Sequence, residues 1–179
     1  FAATDRASSD SNGASDRLIA ANDTNPTVGD YDVQLTVAAI NGTDADNTAF
    51  MVARWTDTSN SYSAGTYSGG AATDKKIVKK VAGVVTELAT ADTGIAVGDV
   101  LLLEVRASGA NRLRLLKNGA EQITSGDTEI TAIGRAGFGF GNLWVSTDDV
   151  TSNTAVDDYR VTEQGVAATP QRTLMGVGR

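Results

Sequence analysis

From Gly29 to Ile40 the chain reads GDYDVQLTVAAI, and in it Tyr31, Val33, Leu35 and Val37 alternate with Asp32, Gln34 and Thr36. Successive side chains of a β-strand leave opposite faces, so this spacing makes one apolar face and one polar face. Similar short runs follow at TAFMVARWTD, SYSAGTYSGG, DVLLLEVRASG, NRLRLLKNGAEQI, GRAGFGFGNLWVS and AVDDYRVTEQ, separated by turn residues. In DKKIVKKVAGVVTELATA the β-branched content and the central Gly83 favour two strands turning at Ala82-Gly83 over a helix. Asn118-Gly119 is the sharpest turn signal, because both central positions of a type I′ turn need φ > 0. About ten or eleven short strands without a convincing helix predict an all-β chain, an antiparallel β-sandwich or barrel.

Composition narrows the chemistry. The 179 residues suffice for one domain with a real core, at 41% hydrophobic content. Neither histidine nor cysteine occurs, so Ser-His-Asp triads, histidine or thiolate zinc sites and disulfides are excluded. A net charge of −7 repels a phosphate backbone, which argues against nucleic acid as a partner. No run approaches the roughly 18 apolar residues of a membrane helix, so no membrane insertion is expected. The chain begins at Phe1 rather than Met, which suggests a processed product or part of something longer.

Residues 1–15 read as an N-terminal arm, 16–163 as the sandwich and 164–179 as a C-terminal tail. The order of GDYDVQLTV, ARWTDTSNSY, KKVAGVVTELAT, GDVLLLEVRASGANRLRLLKNG, GRAGFGFG and VDDYRVTE resembles the concanavalin A-like lectin/glucanase superfamily, in its laminin-G-like branch. That resemblance implies a jelly roll of two curved antiparallel sheets. It implies no single function, since the fold hosts lectins, glycosidases and structural modules.

The glycosidases of that superfamily carry a Glu-x-Asp-x-Glu strand, and none of Glu87, Glu104, Glu121, Glu129 or Glu163 sits in such a pattern. No catalytic residue is therefore assigned. The glucanase resemblance at VDDYRV also implies a structural calcium ligand at Asp157, which alternation places on the inward face with Tyr159 and Val161. The competing reading, in which Asp157 caps loop amides or pairs with an arginine such as Arg17, is the stronger, because no second carboxylate is placed beside it. No cofactor is required, and a Ca²⁺ ion at Asp157 is the candidate the resemblance offers. DADN (Asp44 to Asn47) reads as a solvated turn, and KKIVKK as a solvated strand with its lysines split between two faces, protecting an edge by charge. Trp144 reads as a core or loop-plug residue.

MVARWTDTSNSYSAGTY, from Met51 to Tyr67, mixes aromatic, cationic and acidic groups in a way that suits a sugar platform. Alternation places Trp55 with Met51 and Ala53, which favours packing over display. The same rule sets Arg54 beside Phe50 and Val52, where a cross-strand carboxylate partner is expected. At the other end, Leu174, Met175 and Val177 lie between Arg172 and Arg179, a composition suited to a tail that docks on a neighbouring subunit, with a disordered tail as an equal alternative. The resulting expectation is a non-catalytic structural or adhesion module of a virion, as capsid decoration or tail appendage. Its partners would be other virion or surface-structure subunits, in a virion or extracellular setting. A lectin-like carbohydrate-binding domain, its glycan-binding residues unassigned, is the alternative, and a glycosidase-like domain the second alternative.

Overall fold

The computed structural model describes residues 7–8, 19–21, 25–39, 49–69, 72–92, 94–140 and 155–165. These form strands β1 (Ala7–Ser8), β2 (Ile19–Ala21), β3 (Tyr31–Ala39), β4 (Ala49–Asp57), β5 (Asn60–Gly69) and β6 (Ala72–Val81). They continue as β7 (Val84–Ala91), β8 (Val100–Val105), β9 (Leu113–Lys117), β10 (Ala120–Ser125), β11 (Arg135–Phe140) and β12 (Ala155–Glu163). Two six-stranded antiparallel sheets result, one in the order β1-β12-β3-β8-β9-β10 and the other β2-β11-β4-β5-β6-β7. We call them the first and second sheets. The all-β sandwich expected from the strand spacing is the one observed.

The alternation of β3 does what period two dictates. Tyr31, Val33, Leu35 and Val37 are fully buried against Leu101, Leu103, Val105, Leu113 and Leu115 of the same sheet and Met51, Ala53, Tyr62, Ala64 and Ile77 of the other. Fully burying side chains of this size stabilises by about 1.5–3 kcal/mol each, which makes this layer the main source of stability. Both predicted hairpins are tight. Ala82 and Gly83 have φ of 48° and 83°, and Asn118 and Gly119 have 52° and 80°, the left-handed pairs of a type I′ turn. Asn118 adds side-chain bonds, accepting from Val100 N at 2.8 Å and donating to Asp99 Oδ1 at 2.7 Å.

Two bulges overturn simple alternation. In β4 the register runs from Ala53↔Tyr62 to Asp57↔Asn60 on one side and from Val52↔Gly137 to Trp55↔Arg135 on the other. β4 therefore carries one extra residue relative to β11 and two relative to β5, with Arg54 at φ 50° in the bulge. Trp55 is consequently turned to the face of Phe50, Val52 and Val78, against which it packs, and away from that of Met51 and Ala53. In β12 the register slips between Asp157↔Thr36 and Arg160↔Gln34, with Asp158 at φ 49°. Val156, Tyr159 and Val161 thus all meet the core, while Asp157 shares the outer face with Thr36. The expectation of an inward Asp157 fails for that reason.

The lysine-rich strand also differs from its expected setting. β6 lies inside its sheet between β5 and β7, so it protects no edge. Lys75 is fully buried, opposite Thr66 on the inner face, and donates to Gly94 O at 3.2 Å. Burial first, and then the nearby Lys117, pull its ammonium down to about 8.

Candidate functional site

The outer face of the first sheet is where strand register gathers polar groups from five separate strands. One row across it is Thr162, Asp32, Glu104, Arg114 and Thr124, and the next is Arg160, Gln34, Leu102, Leu116 and Glu121. Apart from Glu121, which sits beside a bulge in β10, each residue points outward because a sequence neighbour on the same strand packs into the core. Ion pairs and hydrogen bonds link the rows into a chain. Glu121 takes both Arg114 Nε and Nη2 at 2.8 Å, and Arg114 Nη1 reaches Glu104 at 2.8 Å. Arg106 lies 3.6 Å from the other oxygen of Glu104 and donates to Asp32 Oδ1 at 2.7 Å. Gln164 donates to Asp32 Oδ2 at 2.6 Å, and Arg160 to Gln34 Oε1 at 2.7 Å. Planar groups held in this way have fixed orientations and keep lone pairs and N–H groups for a ligand. Leu102 and Leu116 lie between them as a low apolar strip, Leu116 being 8% exposed.

The second sheet offers a different outer face. Phe50, Val52, Val78 and Ser63 are buried there, so its centre is closed to direct contact. Trp55 is half-buried at the rim, packed against that apolar cluster, with the Arg135 guanidinium 5.8 Å from its ring centroid. The expectation that Trp55 packs rather than displays its ring agrees with this setting, although on the opposite face.

At one end of the sandwich, three loops converge on Arg54, which is only 5% exposed. Its guanidinium donates to Thr131 O at 2.8 Å, Ala132 O at 3.4 Å, Gly29 O at 3.3 Å and Arg106 O at 3.5 Å. The expected carboxylate partner is absent among the described residues; backbone carbonyls take its place. Arg54 N donates to the Tyr31 hydroxyl at 2.9 Å, and burial pushes that phenol up to about 12, so it serves as a neutral acceptor. Gly134 (φ 58°) passes so close that a Cβ there would lie 2.6 Å from Arg54 C.

The same β10–β11 loop is held at its other end by a cluster that sequence reasoning did not single out. Tyr62 Oη donates to Asp127 Oδ1 at 2.5 Å and accepts from Ile130 N at 3.0 Å. Lys79 Nζ lies 2.6 Å from Asp127 Oδ2 and 2.7 Å from Glu129. Burial alone would raise the Asp127 carboxyl, but the bonds from Lys79, Tyr62 and Glu129 N outweigh it and hold it below its ordinary 3.8. A depressed carboxylate stabilises the fold above its unfolded pKa and loses that contribution as pH falls through the folded value. Thermal unfolding followed from pH 6 to pH 2 is therefore expected to show a steeper acid loss in the natural chain than in Asp127→Asn. Parallel curves for the two proteins would remove Asp127 from the acid response.

The remaining sequence candidates are placed as follows. Asp157 is half-buried, and its Oδ1 accepts from Asp158 N at 2.9 Å. Among the described residues no group of three or more acidic side chains is assembled to hold a metal ion. Of the glutamates, Glu87 pairs with Lys76, Glu104 and Glu121 with Arg114, and Glu129 with Lys79, while Glu163 accepts from Thr27 N and Oγ1. Arg17, Asp44 to Asn47, Trp144 and the tail residues Arg172, Leu174, Met175, Val177 and Arg179 lie outside the described residues.

No protein-family model matches the chain, and no curated protein sequence does. Solved structures do match it in shape. A carbohydrate-binding module, CBM66 from Bacillus subtilis, superposes with a TM-score of 0.60 at 14% identity, over 88% of this chain and 95% of that one. Sheep galectin-11 gives 0.53 at 10% identity, over 83% and 99%. A legume lectin-like domain from Entamoeba histolytica gives 0.53 at 12% identity, over 86% and 82%. Two stacked antiparallel sheets and these likenesses in shape give the chain the concanavalin A-like jelly-roll fold.

Proposed function

We propose that this chain is a non-catalytic carbohydrate-binding module that receives a glycan on the outer face of its first sheet. The observation that carries this reading is the linked series Glu121–Arg114–Glu104–Arg106–Asp32–Gln164 beside the Leu102–Leu116 strip. Sugars present hydroxyls that need oriented donors and acceptors, and C–H faces that need apolar contact; this surface supplies both. The fold neighbours named as a carbohydrate-binding module, a galectin and a lectin-like domain support the same reading by analogy of fold.

A glycan array on the whole chain tests it. A specific ligand is expected, unchanged by calcium because the surface needs no cation to orient its groups. Arg114→Ala, which removes donors, releases Glu121 and leaves Glu104 only its longer contact with Arg106, is expected to weaken binding at least tenfold, about 1.4 kcal/mol. An array blank on every glycan would leave the second reading in its place. That reading is a structural or adhesion subunit of a virion or other surface assembly, and it rests on the docking composition of Arg172, Leu174, Met175, Val177 and Arg179.

A further inference from the structure

We infer that the first-sheet face takes an uncharged, linear glycan several sugars long, laid across the strands. The inference rests on the carbohydrate-binding reading and specifies its ligand. Three features of the face carry it. The first is extent. The row Arg160–Gln34–Leu102–Leu116–Glu121 is in register across five neighbouring strands. At ~4.8 Å per strand the row spans roughly 19 Å, several times the width of one sugar ring.

The second feature is charge. Arg106, Arg114 and Arg160 meet Asp32, Glu104 and Glu121 on this face, three against three, and Arg112 beside Arg106 and Asp157 on β12 add one charge of each sign. Arg106 and Arg114 are held between carboxylates, and Arg160 is bonded to Gln34. A polyanionic glycan would have to break those pairs and then meet the released carboxylates. A neutral chain only adds hydrogen bonds to groups already aimed.

The third feature is the exposed β10 end of the row. Arg160 and Glu121 are both exposed, and Glu121 lies on the terminal strand β10. A site that reads a chain terminus needs a closed end against which the last sugar stops. At the β10 end this row offers no such stop among the described residues, so a chain several sugars long can run past it.

Titration calorimetry on the whole chain tests the inference, with cello-, xylo- and fructo-oligosaccharides of one to six units and polygalacturonate as probes. Affinity for the preferred neutral series is expected to rise at least tenfold between one and four units and then level off. Polygalacturonate is expected not to bind. Leu102→Gln should flatten the length dependence, and Trp55→Ala should leave it unchanged. A monosaccharide bound as tightly as its tetramer, or a preference for polygalacturonate, would overturn the inference while leaving carbohydrate binding intact. Length dependence that survives Leu102→Gln and vanishes in Trp55→Ala would move the site to the other sheet and overturn it too. No binding of any probe or arrayed glycan would overturn both readings.

Discussion

Arg54→Met is expected to lower the unfolding free energy by about 3 kcal/mol, read as a fall in the urea midpoint at unchanged slope. The size follows from what the guanidinium leaves behind. One of its contacts is short, to Thr131 O at 2.8 Å, and three are long, to Gly29 O, Ala132 O and Arg106 O at 3.3, 3.4 and 3.5 Å. Hydrogen bonds to a charged group contribute about 1.5–3 kcal/mol when buried, and a stranded carbonyl costs about 1–3 kcal/mol unless water reaches it. Thr131 and Ala132 are exposed, so water recovers part of their loss and the full sum is not realised. Arg54→Lys keeps the charge but offers one ammonium in place of a planar fork, and an intermediate loss is expected. A change below 1 kcal/mol in Arg54→Met would mean that the three loops hold their places without this side chain.

Arg54 also marks the boundary of what the sequence discloses. Alternation was readable along β3, and the turns at Ala82-Gly83 and Asn118-Gly119 were readable from residues that tolerate φ > 0. The bulges were not, because Arg54 and Asp158 adopt φ near 50° although neither position carries a glycine or asparagine. A single extra residue in a strand flips every side chain beyond it, which is why Trp55 and Asp157 changed faces together with their register. Arg54's partners were hidden for another reason. Gly29, Arg106 and Thr131 reach it from loops 25, 52 and 77 residues away, and carbonyl acceptors carry no sequence signature.

The candidate glycan face shows the same limit in a different form. Asp32, Gln34 and Thr36 were legible as an outward polar series. That Glu104 and Arg114 stand beside Asp32 follows from pairing β3 with β8 and β8 with β9, and the first of these pairs joins strands about 70 residues apart. Strand order across a jelly roll cannot be deduced from local periodicity, so the rows exist only once the sheet is assembled. Asp127 was invisible for the same reason. Its partners Tyr62 and Lys79 lie 65 and 48 residues earlier, on strands of the other sheet.

Gly65→Ala is expected to cost about 3 kcal/mol or more, with little folded protein recovered. Gly65 pairs with Phe50 at the centre of the second sheet. A Cβ there would lie 2.3 Å from Ala49 O, 2.5 Å from Phe50 Cα and 2.8 Å from Phe50 Cβ. None of these atoms sits at the far end of a flexible side chain, so the two strands would have to part. Gly83→Ala is the matching control. Gly83 has φ 83° and no atom within 4 Å of the added methyl, so only the left-handed backbone is penalised, by about 1 kcal/mol. The two variants separate steric exclusion from conformational strain, measured by circular dichroism and chemical denaturation of the soluble fraction. A further variant, Phe50→Ala added to Gly65→Ala, locates the collision. It is expected not to restore folding, because the atoms met are main-chain atoms and a Cβ that alanine retains. Recovery of stability in that double variant would show instead that the Phe50 ring, fully buried on the outer face, is what holds the strands too close for a methyl group.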